Sequence, residues 1–437
     1  MQLNGPQRRN RFAAAALSLL GASSAATAHA DDGSDWTFDT STLLYAEGAG
    51  RVKVFEPKVN ASLHLDESRT LAATVTVDAL SGATPNGAAP YSKPQTFFQP
   101  HSTSGSSGSS SSSGVNSTYT TAAYELPKDP NFENLRGALE IDYSFAPAAK
   151  QHMDLSTALS VEDDYTSIGV GGHWSRDFNQ GNTTLGAGLN FSSDFISPVG
   201  GVNTPLSQMV GSIANGPSSK LKLVQDMVVG VTQLVSPRSL VQVNYSLSHS
   251  NGYLNDPYKI LSVVDATAAP LYYVYESRPG SRLKNSLYTH YKARAMGTDV
   301  FDASYRYMID TWGIRSHTVE LSYRAYIAGE RGYLEPHLRG YRQSAADFFH
   351  AALDQGQVAG TRFASADQRL GAFTAYTGGL EYGDRHWAGH DWSVRAEYYR
   401  QLGKVEGLPP VAGNALARYD VAPSLSAGWL IFSLGFR

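Results

Sequence analysis

Two neighbouring stretches alternate between apolar and polar residues, position by position. Over residues 299–310, Phe301, Ala303, Tyr305, Tyr307 and Ile309 share one parity, and Asp302, Ser304, Arg306, Met308 and Asp310 the other. Residues 317–327 repeat the pattern, with Val319, Leu321, Tyr323, Ala325 and Ile327 set against Thr318, Glu320, Ser322, Arg324 and Tyr326. A period of two means extended strands with one apolar and one polar face. In a soluble sandwich the apolar face has to meet a second sheet. In a membrane it faces lipid, and the ionisable side turns to a wet lumen.

The rest of the chain favours the membrane. Alternation and turn residues mark strands at 36–46, 52–65, 69–80, 133–146, 151–164, 166–178, 182–194, 219–235, 238–252, 281–295, 299–311, 316–328, 332–344, 369–383, 391–402 and 423–437, sixteen in all. Their lengths suit tilted spanning strands of ~9–11 residues plus rims. Connections after the even-numbered strands are short, at 66–68, 147–150, 179–181, 236–237, 296–298, 329–331 and 384–390. Every long one follows an odd-numbered strand, at 81–132, 196–218, 251–280, 345–368 and 403–422. A soluble sandwich has no reason to sort its loops by side. An up-and-down barrel with both chain ends in the periplasm has one. The expected fold is therefore all-β: a transmembrane antiparallel up-and-down β-barrel of about sixteen strands, with long extracellular loops and short periplasmic turns. In the last strand Gly428, Leu430, Phe432, Leu434 and Phe436 share a face, like the terminal signal of outer-membrane barrels, although Arg437 follows the final aromatic.

Composition narrows the chemistry. Cysteine is absent, which removes disulfides, iron–sulfur sites and thiol catalysis. A net charge of -4 leaves no footprint for nucleic acid. Arg8, Arg9 and Arg11, the apolar run 12–20 and Ala28-His29-Ala30 read as a secretory signal peptide over 1–30, cleaved after Ala30, with the barrel over 31–437. The apolar run falls far short of the ~20 residues needed to span a bilayer. Within the long loop 82–132, the Ser/Gly run 102–114 reads as a flexible tether. Residues 82–87 lack the Lys-Ser/Thr of a phosphate loop and read as a turn. In 251–280, Asn255-Asp256-Pro257 is a strong turn, and Tyr253 and Tyr258 are placed as rim aromatics, with the loop folded on or into the mouth.

The chain resembles the outer-membrane proteins grouped as domain of unknown function 3570. The likeness rests on Asp78 with Gly82-Ala83-Thr84-Pro85, the loop Gly252-Tyr253-Leu254-Asn255-Asp256-Pro257-Tyr258, and Arg278-Pro279 with Arg282. It continues through Tyr305-Arg306-Tyr307, Asp310-x-Trp312-Gly313-Ile314 and Arg339-x-Tyr341-x-Gln343-Ser344. The resemblance implies a Gram-negative outer-membrane barrel without an assigned reaction.

Strand parity places Arg282, Lys284, His290, Lys292 and Arg294 of one strand, Asp302, Arg306 and Asp310 of the next, and Glu320 and Arg324 of a third on the lumen side. An Arg or Lys facing lipid at mid-membrane costs roughly 2–4 kcal/mol, which decides the side. Such a wall is a generic water-lined surface, or it tunes permeation, binds an anion, or forms a salt-bridged plug. Glu162, Asp163 and Asp164 form an acidic strand end, read as a solvated rim rather than a cation site. His386 and His390 have a spacing that ligates metal on a helix, and this segment is not one. No metal or cofactor is expected. Neither is catalysis: Gly-x-Ser-x-Gly is missing. Ser248-His249 and Ser316-His317 are adjacent on strands, so each pair points to opposite faces. The expected role is a pore for solute passage in the outer membrane. The alternative is a barrel that scaffolds or anchors a periplasmic or secreted partner. Expected partners are outer-membrane lipid, lipopolysaccharide and the barrel-assembly machinery.

Overall fold

The computed structural model describes residues 36–99, 117–130, 132–209, 217–329, 331–387 and 390–436. The expected signal peptide over 1–30 and the Ser/Gly run 102–114 lie outside the described residues. Sixteen strands close into one antiparallel barrel. In order they are β1 (Trp36–Glu47), β2 (Lys53–Asp66), β3 (Arg69–Ser81), β6 (Glu133–Phe145), β7 (Gln151–Val161), β8 (Tyr165–Phe178), β9 (Thr183–Ile196) and β10 (Lys220–Ser236). Then follow β11 (Ser239–Gly252), β14 (Ser281–Arg294), β15 (Val300–Asp310), β16 (Arg315–Ile327), β17 (Gly332–Gln343), β19 (Phe373–Trp387), β20 (His390–Gly403) and β21 (Leu425–Phe436). Five short strands lie in the loops: β4 (Gln95–Gln99), β5 (Ser117–Thr121), β12 (Ile260–Val264), β13 (Pro270–Tyr275) and β18 (Leu353–Asp354).

The first and last wall strands close the ring, pairing from Phe38 opposite Phe436 to Glu47 opposite Ala427. Such closure leaves no unpaired edge, and only closed barrels or helices satisfy their backbone in lipid. The outer face is apolar on strand after strand, with Leu71, Val75, Leu139, Ile141, Leu155, Leu159, Ile168, Val170, Leu185 and Leu189 exposed. An exposed band of that extent is foreign to a soluble monomer and matches hydrocarbon. Among the described residues no helix is long and apolar enough to cross a membrane.

Each expected strand has its counterpart, and the short and long connections fall on opposite ends. The largest shift is at β19, expected over 369–383 and found at Phe373–Trp387. Residues Gln368–Leu370 instead form a 3-10 turn, capped by the Asp367 side chain accepting from the Arg369 N–H, and Leu370 is buried among the loops.

The long loops carry strands and a core of their own, and they fold together into a cap that includes the 251–280 loop expected at the mouth. β13, β12 and β18 form a three-stranded sheet, and β4 pairs with β5. Every residue of β12 is buried. One core cluster joins Ala89 of the β3–β6 connection, Val264 and Ala268 of the β11–β14 connection, Ala351 and Ala352 of the β17–β19 connection, and Ala412, Leu416 and Val421 of the β20–β21 connection. These connections leave the ring at well-separated points, so their shared core lies across the mouth. The β9–β10 connection joins through Gln208 bridging to Val274 and through Asn203 Nδ2 donating to the Pro257 carbonyl at 2.9 Å. Burial also corrects the rim assignment of two tyrosines. Tyr253 and Tyr258 face inward beneath the cap, not the lipid rim.

Candidate functional site

Where β11 leaves the wall, Gly252 turns the chain inward. Its φ is +113°, and a Cβ there would lie 2.3 Å from the Leu221 carbonyl oxygen. Gly252 N–H donates to Gly280 and Tyr253 N–H to Leu221, pinning both ends of the loop to the sheet. Asn255 Oδ1 accepts from the Arg278 N–H at 2.6 Å and Asp256 Oδ1 from the Tyr258 N–H at 3.1 Å, which builds the turn before Pro257. The family segment is thus a folded hinge. The Asp256 N–H donates to Glu276 across the same loop.

Six charges meet around this hinge. Arg278 binds Glu276 at 2.7 Å and Asp367 at 2.8 Å. Arg369 reaches Asp367 at 2.6 Å and Asp256 at 2.7 Å. Lys259 is buried, and its Nζ donates to Thr84 Oγ1 at 2.8 Å and the Pro85 carbonyl at 2.5 Å. Ser365 Oγ donates to Glu276 at 2.6 Å. Three acids balance three bases, and three loops are tied by them. Buried charge of this kind is tolerated only when paired and hydrogen-bonded.

Burial pushes Asp367 up, yet Arg369, Lys259 and Arg278 outweigh it and hold its carboxyl well below the usual carboxylate range. Burial pushes Glu276 up to about 7, with Arg278 opposing and Asp256 adding. Burial likewise pulls Lys259 down, against Asp256 and Asp367. Because the folded value of Asp367 is depressed, its stabilisation is present above its unfolded value near ~3.9 and is lost as pH falls below that. Burial shifts Glu276 the other way, so its contribution is lost as pH rises and does not add to the loss on the acid side. We expect cap amides over 253–280 and 345–372 to lose hydrogen-exchange protection below pH ~4 while the wall strands keep theirs. Equal loss in cap and wall would contradict this assignment.

Below the cap lies a cavity of about 1040 Å³, bordered from the wall by Lys222, Ser250, Arg282 and Lys284 and from the cap by Tyr253, Tyr258, Lys259 and Arg369. Lys222 Nζ sits 2.7 Å from Asp194, and Arg282 pairs with Asp310 at 2.5 Å while stacking on Trp312 at 4.4 Å. Asp310 Oδ1 also accepts from Trp312 and Ile314 N–H at 2.9 Å each, so it organises the turn between β15 and β16. Lys284 forms no ion pair among the described residues.

Of the other residues assigned by parity, Asp302 holds His290 at 2.8 Å and Lys292 at 3.7 Å. Arg306 lies over the Tyr288 ring at 5.3 Å, and Arg294 is exposed near the short-turn end. Glu320 pairs with Arg339 at 3.0 Å and Arg324 with Glu335 at 2.5 Å. The wall network continues through Glu381, Arg395, Glu397 and His337, none of them singled out from sequence. Ser316 is buried on the inner face and His317 exposed on the outer, where its Nδ1 meets Tyr305 Oη at 2.7 Å. Glu162 accepts from Asn134 at 2.7 Å and Asp164 from Tyr258 Oη at 2.5 Å, and among the described residues no group of His, Asp and Glu is arranged for a metal. Sequence reasoning also missed Lys259, Glu276, Asp367 and Arg369. Their signal was there: Glu276-Ser277-Arg278 and Asp367-Gln368-Arg369 repeat an acid-x-base triplet in two long loops.

Residues 9–436 match the family described as protein of unknown function, DUF3570. The chain belongs to that family. No curated protein matches this DUF3570 chain. Among solved structures it is similar to the ferric enterobactin receptor of Pseudomonas aeruginosa at 10% identity and TM-score 0.43, covering 86% of this chain and 54% of that one. The siderophore receptor PirA of the same organism gives 10% identity and TM-score 0.40 over 84% and 56%. A bacterial polysaccharide outer membrane secretin gives 10% identity and TM-score 0.44 over 93% and 100%. The DUF3570 chain thus spans about half the length of the receptors it matches.

Proposed function

We propose that this DUF3570 barrel is an outer-membrane conduit whose long loops face outward and whose cap is the barrier to passage. The observation that carries the reading is the cap core itself, drawn from loops around the ring, with a cavity bordered by Lys222, Arg282 and Lys284 directly beneath it. A sixteen-stranded wall encloses a lumen of aqueous size. A plain spacer would need neither a shared loop core nor a buried charge cluster at its mouth.

Planar-bilayer recording of the purified protein tests this. The wild type should give rare, brief openings rather than the steady current of an open pore. Lys284 is the better probe of selectivity than Arg282, because Asp310 already neutralises Arg282. Lys284→Glu should move the reversal potential in a salt gradient toward cation preference during those openings. A barrel that stays silent even when the cap is weakened, and that co-purifies with a periplasmic chain, would replace the conduit by a scaffold.

A further inference from the structure

The outer face carries a second site, away from the lumen. His317 pairs across to Arg342, Arg342 to Thr374 and Thr374 to Leu402, so these four share one face on four consecutive strands. That face is the lipid side, because Leu338, Tyr376 and Leu402 on the same parity are exposed. At its long-loop end, Arg315, His317, Arg342 and Lys404 frame a hollow of about 380 Å³ floored by Ala372 and Thr374. Arg400 stands beside it, one strand over from Tyr376.

Only one of these charges has an acidic partner among the described residues. Lys404 binds Glu406, the one acid at the hollow, but Arg315, Arg342 and Arg400 form no ion pair among the described residues. Their placement is also one-sided. At corresponding outward positions on the far side of the ring stand Val161, Phe195 and Leu221, all exposed and apolar. A basic cluster at the upper edge of an apolar band is matched by an anion that is itself tethered to hydrocarbon. A soluble anion would gain nothing from the band below.

We infer that this hollow docks the phosphorylated sugar headgroup of lipopolysaccharide, with its acyl chains lying on the Val319, Leu338, Tyr376 and Tyr398 surface beneath. Guanidinium groups grip phosphate through paired hydrogen bonds, and a lipid interface lets each added cation count.

The test uses full-length protein, folded and delipidated in non-ionic detergent, titrated with purified bisphosphorylated lipid A and read by native mass spectrometry. The variant Arg315→Gln/Arg342→Gln/Lys404→Gln should lose roughly tenfold or more in affinity. A charge-matched control at the short-turn end, Lys150→Gln/Arg238→Gln/Arg331→Gln, should bind as the wild type does. Heat-modifiable gel mobility reports folding, and the single Arg342→Gln change serves should the triple variant fail to fold. Unaltered binding by the patch variants, equal loss in the control, or no lipid A bound to the wild type would each overturn the site. Displacement of lipid A by inorganic phosphate at equal concentration would overturn it too, by making the acyl chains irrelevant.

Discussion

Asp367→Ala opens the cap. Asp367 is almost wholly buried and is the one carboxylate touched by both Arg278 and Arg369. Removing it leaves the buried Arg278 guanidinium, and the more exposed Arg369, short of a partner, and breaking the buried Arg278 pair from one side costs about 3–5 kcal/mol. That cost falls on the junction between the β11–β14 and β17–β19 loops, not on the wall, whose strands pair continuously on either side. The expected record is frequent, long single-channel openings where the wild type shows rare ones. Exchange protection over 345–372 should collapse in parallel. Asp367→Asn keeps the shape and some hydrogen bonds, so it should sit between the two. Wild-type conductance and protection in Asp367→Ala would mean that the charge cluster does not hold the cap.

Gly252→Val acts at the hinge rather than at the latch. A left-handed φ of +113° is costly for any β-branched residue, and the new side chain begins 2.3 Å from the Leu221 carbonyl oxygen, which is backbone and cannot swing away. The strand exit has to shift, and with it the turn at Asn255 and the seat of Tyr258 on Asp164. We expect the 253–280 loop to become cleavable by protease added outside intact cells, while the barrel keeps its folded gel mobility. Gly297→Val is the comparison. It too has a positive φ, but nothing lies within 4 Å of its Cβ position, so its effect should stay near ~1–2 kcal/mol and leave the loop protected. Equal protease resistance in Gly252→Val and wild type would show that the hinge does not place the loop.

How much of this was legible depends on periodicity. Wall strands such as β15 and β16 alternate for their whole length because one face meets lipid and the other water, and that contrast is written into every second residue. β12 was invisible for the opposite reason. Ile260-Leu261-Ser262-Val263-Val264 is buried on both faces, so it carries no alternation, and five residues are too few to separate a strand from an apolar turn. The site was half legible. Arg282 and Asp310 could be set on one side by parity, but that Arg278 would meet Asp367 is a matter of loop folding, and parity says nothing about loops. Tyr253 and Tyr258 were misplaced because an aromatic near a strand end reads the same at a lipid rim as beneath a lid.

The cap core takes its members from four connections that lie far apart along the chain. The wall sets where each one starts, so we expect the lid to order only once the ring has closed, and a cylinder stalled one strand short to sit in the membrane unsealed. Cap protection then reports, in one measurement, that the final strand has met the first.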